Sequence, residues 1–127
     1  PISVIRMIAD RKQFYTQYGG ARPFGVSIML AGVNKSNSYV YATDVTGNFI
    51  SYKAYAIGEN DEKIKEILRQ DYKENMNIDD GIKFAMKIFK DILGKNFELD
   101  RFEVAYVRSS TEKITRLQGD DLKKFIK

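Results

Sequence analysis

The sequence predicts an α+β fold, with antiparallel strands carrying helices stacked on one face, and three observations predict it. Segment types come in runs of helix, three strands, two helices, one or two strands and a last helix, which suits hairpins beside helices better than a doubly wound sheet. A two-residue apolar period recurs between residues 24 and 57 and again between 101 and 117. Between those stretches the period becomes helical.

Ser3 is placed to cap a first helix whose apolar face is Val4, Ile5, Ile8 and Tyr15, and Gly19-Gly20 stops it. After Pro23, Phe24 to Ala31 reads as a buried strand with Val26, Ile28 and Leu30 on one side, followed by a polar turn at Asn34 to Asn37. Ser38 to Thr43 alternates Tyr39 and Tyr41 with Val40 and Ala42, and Asn48 to Ile57 reads as the next strand with Phe49, Ile50, Tyr52 and Tyr55. Asp44-Val45-Thr46-Gly47 has Asp first and Gly fourth, the preference of a type I turn, so these two strands form an antiparallel hairpin.

Glu59 or Asn60 opens a helix to about Tyr72, with Ile64, Ile67, Leu68 and Tyr72 on one stripe and Asp61 one turn from Lys65. Asn77 reads as the N-cap of a further helix, with Asp79 and Asp80 suited to the dipole of its first turn. Its apolar positions are Ile82, Ala85, Met86, Phe89 and Leu93, and Gly94 ends it. Arg101 to Arg108 alternates through Phe102, Val104 and Tyr106 as a strand, Ser109 to Lys113 turns, and Ile114 to Leu117 offers a short further strand, so that this stretch holds one strand or two. A short helix from Asp120 carries Leu122, Phe125 and Ile126.

At 127 residues the chain has the size of one domain. Without Cys or His it has no disulfide, no ordinary zinc or copper ligand set and no nucleophile-histidine pair. Pro1 offers no nucleophilic side chain, so catalysis would rest on Ser or Thr with Lys, or on paired carboxylates. Asp79 and Asp80 are sequence neighbours that point apart in a first helical turn, and they read as capping residues. Gly19-Gly20 with Arg22 lacks the Gly-Lys-Ser/Thr continuation of a phosphate loop and closes a helix instead of opening one. Lys53 reads as a mid-strand position between Tyr52 and Ala54, exposed or in an interface.

The expectation is therefore no catalytic residue, no cofactor and no metal. The excess of 21 basic over 17 acidic residues is mild, and Arg11-Lys12 and Lys63 to Lys65 stand among acids, so no phosphate-tracking stripe and no nucleic-acid partner are read. No run approaches about 18 apolar residues, so no membrane partner is read either. Tyr39, Tyr41, Tyr52 and Tyr55 exceed what a small core needs and suit a sheet or subunit contact.

Residues 15 to 32 add a resemblance. Tyr15, Thr16, Gln17, Gly19, Gly20, Arg22, Pro23, Phe24, Gly25, Val26, Ala31 and Gly32 match the proteasome α-subunit segment that joins a long helix to a central strand, with Tyr18 where that family usually has His. Asp44 and Gly47 match the family's Asp-Pro-Ser-Gly turn, with Val45 in place of its proline, and Tyr52, Lys53, Ala54, Ala56, Ile57 and Gly58 match its next pattern. The chain resembles the C-terminal half of a single proteasome-type domain over residues 1–127.

The resemblance implies a four-layer αββα sandwich of N-terminal-nucleophile hydrolase type, of which this chain is part. The N-terminal half, with the gating segment, the first helices and the pocket to which regulators dock, would lie before Pro1. It implies a non-catalytic subunit of the 20S α ring, supporting ring assembly and substrate gating in ATP-dependent protein degradation, while threonine peptidase activity belongs to β subunits. The implied partners are other α subunits in a heptameric ring, β subunits, regulatory ATPase or activator caps and, for a split subunit, a separate chain supplying the N-terminal half. The implied location is the cytoplasm, and also the nucleus in a eukaryote. Two alternatives remain at this point: a β-like threonine peptidase with its nucleophile before Pro1, and a small basic module that binds through the tyrosine-rich hairpin.

Overall fold

A computed structural model describes residues 3, 4, 7, 27–35, 37–43 and 46–127. The helix expected up to Gly19-Gly20 lies outside these residues apart from Ser3, Val4 and Met7, which are helical. The chain divides into two compact units, Pro1–Glu59 and Asn60–Lys127.

The first unit holds an antiparallel sheet of three strands in sequence order: β1 (Ile28–Asn34), β2 (Asn37–Thr43) and β3 (Phe49–Tyr52). The expected polar turn joins β1 to β2, with Asn34 opposite Asn37 and Lys35 in the left-handed region at φ 57°. The expected hairpin joins β2 to β3, pairing Thr43 with Phe49 and Val40 with Tyr52. Asp44 and Val45 lie outside the described residues, so the turn type is not assigned.

The third strand is shorter than the expected Asn48 to Ile57, because it ends at Tyr52 and the chain bends at Lys53 and Ala54. The cause is visible in the rings of Tyr52 and Tyr55, which stack with centroids 4.0 Å apart and planes at 21°. Residues three apart in a strand point to opposite faces, so this contact requires the chain to turn.

The second unit begins with α1 (Asp61–Asp71), which buries Ile64 and half-buries Ile67 and Leu68. Asn60 occupies its N-cap position at φ 64° without a side-chain cap bond. α2 (Ile78–Leu93) is capped as expected: Asn77 Oδ1 accepts a hydrogen bond from the Asp80 backbone N–H at 2.8 Å. Gly94 ends α2, its N–H donating to the Lys90 carbonyl. The apolar pattern of α2 needs correcting, since Ala85 is exposed whereas Ile88 is buried with Ile82 and Met86. Ile82, Met86, Phe89 and Leu93 form one helical stripe, Phe84, Ile88 and Ile92 a second, and Ala85 falls between them.

β4 (Glu103–Val107) and β5 (Ile114–Gln118) pair antiparallel as a hairpin, Val104 opposite Leu117 and Tyr106 opposite Thr115. Phe102 gathers the rings of Phe97 at 5.0 Å and Phe89 at 5.2 Å. The last segment, expected as a helix from Asp120, is a 3-10 helix over Gly119–Phe125. Three residues per turn superpose Leu122 and Phe125 on one side, and both are buried against Ile82 and Met86. This cluster, with Phe102 and Val104 packed on it, is the core of the second unit.

Candidate functional site

The register of the three-stranded sheet assigns each side chain to a face, because residues directly opposite share one. Met29, Ala31 and Val33 of β1, Val40 and Ala42 of β2, and Ile50 and Tyr52 of β3 lie on one face, with Ser38 its polar member. Ile28, Leu30, Tyr39, Tyr41, Thr43 and Phe49 lie on the other, together with Gly32 and Ser51. Both faces are therefore largely apolar, the pattern of a sheet covered on both sides and not of one that faces water.

Cover is unequal. On the second face Tyr41 and Thr43 are buried and Ile28, Leu30 and Phe49 half-buried, and Thr43 Oγ1 accepts the Ile28 N–H at 3.3 Å. On the first face Met29 is 41% and Ile50 56% exposed, with Ala42 buried between them. Met29 and Ile50 are the large apolar side chains that this face leaves open.

The tyrosines divide between these faces. Tyr39 and Tyr41 stack at 6.1 Å on the second face, and Tyr52 with its partner Tyr55 belongs to the first. The single tyrosine patch expected from the sequence is thus two separate pairs, because odd positions of β2 and even positions of β3 alternate oppositely about their pairing.

Among the residues singled out by the resemblance, Tyr15, Thr16, Gln17, Gly19, Gly20, Arg22, Pro23, Phe24, Gly25 and Asp44 lie outside the described residues. Gly47 is buried in the β2–β3 turn at φ 91°, and Gly58 lies three residues before α1 at φ 101°. A Cβ on Gly58 would meet nothing within 4 Å, so glycine is required there by backbone conformation and not by space. Tyr52 closes β3, half-buried. Lys53 is exposed in the bend after the strand and not mid-strand as the alternation suggested.

Asp79 and Asp80 are both exposed in the first turn of α2. Among the described residues, no group of three or more Asp and Glu is placed to hold a metal ion, and no helix is long and apolar enough to cross a membrane.

The clearest electrostatic feature is structural. Lys65 Nζ donates to Asp61 Oδ2 at 3.0 Å, the expected one-turn pair, and lies 3.5 Å from Glu62. That hydrogen bond first, and the lysine charge with it, hold the Asp61 carboxyl below its ordinary value. A depressed carboxyl stabilises the folded state above its unfolded pKa and loses that contribution as pH falls through the folded one. Lys65→Met is expected to move the Asp61 midpoint upward in an NMR titration, and an unmoved midpoint would assign the depression to another cause. The Asp120–Lys123 pair at 2.7 Å likewise lowers the Asp120 carboxyl and raises the Lys123 amine.

Sequence reasoning missed the side-chain grouping of Lys83, Lys87 and Lys90, three cations at i, i+4 and i+7 along one side of α2. Their spacing was the available signal, obscured by Asp and Glu elsewhere in the chain.

The described residues thus form an α+β chain whose three-stranded sheet leaves one apolar face more open than the other. In comparison with known proteins, residues 1–107 match the family model described as Proteasome subunit, and the chain belongs to that family. It is similar to "Proteasome subunit alpha" of Aeropyrum pernix, 35% identical over 97% of this chain and 52% of that protein. It is also similar to the proteins of the same name from Saccharolobus islandicus strain L.S.2.15, 36% identical, and Saccharolobus solfataricus, 34% identical, each over 95% of this chain and 52% of the relative. The chain thus spans about half the length of the curated relatives it matches. The resemblance to α-type subunits read from residues 15 to 32 is borne out by these relatives.

Proposed function

We propose that residues 1–127 form the C-terminal half of a single proteasome-type domain, and that the whole subunit is a non-catalytic building block of the 20S α ring. The observation that carries this reading is the family match together with α-named relatives along nearly the whole chain. The exposed apolar face of the β1–β3 sheet supports it physically: Met29 and Ile50 suit burial under a second sheet, as in a four-layer αββα sandwich.

In this reading the N-terminal half comes from the same chain upstream or from a separate chain. The α subunits close a heptameric ring on the β ring and limit entry of unfolded substrate, regulatory ATPase or activator caps dock on the outer side, and the complex works in the cytoplasm. Peptide-bond cleavage belongs to the β subunits through an N-terminal Thr. Tyr15, Thr16, Gln17, Gly19, Gly20, Arg22, Pro23, Phe24 and Gly25 serve as a structural joint between helix and strand. Asp44, Gly47, Tyr52, Lys53 and Gly58 shape the hairpin and its exit. Neither a β-like peptidase nor a basic binding module is favoured by relatives that carry the α name.

The test is co-expression of the whole subunit with a β subunit. The two are expected to purify together, with peptidase activity lost on replacing the β Thr and kept on replacing Ser or Thr residues of this chain. Peptidase activity by the whole subunit without β would overturn the reading.

A further inference from the structure

One concave surface of the second unit opens at the edge of the core described above, away from the β1–β3 sheet. It is a cleft of about 390 Å³ between α2 and the C-terminal segment after β5. Its floor is apolar: Met86 and Phe125 are buried there, and Ile126 is half-buried beside them. Its rim is cationic, with Lys83, Lys87 and Lys90 along α2 and Lys127 across from them, all exposed. Asp91 is the one carboxylate in the lining. Among the described residues none of these lysines has an ion-pair partner, in contrast to Lys65, Lys123 and Arg116, which have one each or more.

The helix geometry explains the grouping. Positions 83, 87 and 90 fall within one narrow stripe of α2, next to the stripe that carries Met86 into the core. Three like charges on adjacent turns repel one another, a cost that a negative ligand removes.

We propose that this cleft binds an acidic peptide segment of a partner protein, carrying one large apolar side chain flanked by carboxylates. The apolar residue packs on Ile126, the apolar lining residue with open surface, above the buried Met86 and Phe125, and the carboxylates meet the lysine rim. The volume suits one large side chain with its backbone. Nucleic acid fits less well, since the only ring in the lining, Phe125, is 5% exposed and offers no stacking platform. Asp91 sets the register by excluding a carboxylate from its end of the rim. Every lining residue belongs to the second unit, so the cleft is formed without the β1–β3 sheet.

The experiment measures fluorescence anisotropy on the whole subunit, in whatever oligomeric state it purifies. The probe is a labelled peptide with one Phe flanked by Asp and Glu. Binding is expected to weaken at least about tenfold for the double variant Lys83→Glu/Lys87→Glu, and similarly when the peptide Phe becomes Ser or its acids become Asn and Gln. Circular dichroism verifies that the variant is folded, and Lys83→Gln/Lys87→Gln, which adds no new charge, is expected to fall between it and the parent. No binding at low salt, binding indifferent to these substitutions, or equal loss of affinity for a labelled oligothymidylate would overturn the proposal.

Discussion

Leu122→Ala is expected to lower the unfolding free energy by about 2–5 kcal/mol, the range for emptying a fully buried leucine site. Leu122 has no exposed surface and Met86, its neighbour in the core, is 1% exposed. Collapse around the vacancy is restricted on both sides, because Phe125 is held one 3-10 turn away and α2 is fixed by its Asn77 cap. The loss should therefore lie in the upper part of that range. Urea unfolding of the whole subunit followed by far-UV circular dichroism measures it. A change below about 1 kcal/mol would mean that Leu122 is not at the centre of a packed core.

Ile50→Asp is expected to abolish assembly of the whole subunit. Ile50 is 56% exposed here, on a sheet face that otherwise presents Met29, Ala31, Val33, Val40 and Tyr52. If a second layer covers that face, the substitution buries a carboxylate without a partner, at a cost of several kcal/mol. If the face remains in water, the same substitution stays within about 0.5 kcal/mol. Ile50→Val keeps the surface apolar and is expected to assemble normally. The contrast between the two variants in size-exclusion chromatography separates a covered face from a solvated one.

How legible all this was depends on the range of the interactions involved. The Asn77 cap and the Asp61–Lys65 pair follow from rules that span three or four residues, and both were readable. The β2–β3 hairpin followed from alternation interrupted by turn residues, whereas the pairing of β4 with β5 came only with the structure. The end of β3 at Tyr52 was not readable, because a ring contact between Tyr52 and Tyr55 overrides the alternation. A single apolar stripe on α2 takes in Ala85 and passes over Ile88, because the helix carries two such stripes.

The site was less legible than the fold. Alternation showed that β2 was apolar on both sides, but only the register showed that Met29, Ala42 and Ile50 form one row and that the tyrosines part company. The lysine cleft was hidden for a similar reason: its rim needs both α2 and Lys127, which are far apart in sequence. The family resemblance rested mainly on residues 15 to 26, outside the described part of the fold, and the comparisons supplied independent support for it.

In the proposed scaffold role, more protein closes the open face of the β1–β3 sheet. Sedimentation velocity of the whole subunit at micromolar concentration, alone and with a β subunit, is then expected to give a ring-sized species that takes up the β subunit; a persistent monomer that ignores the β subunit would mean that the proposed role is wrong.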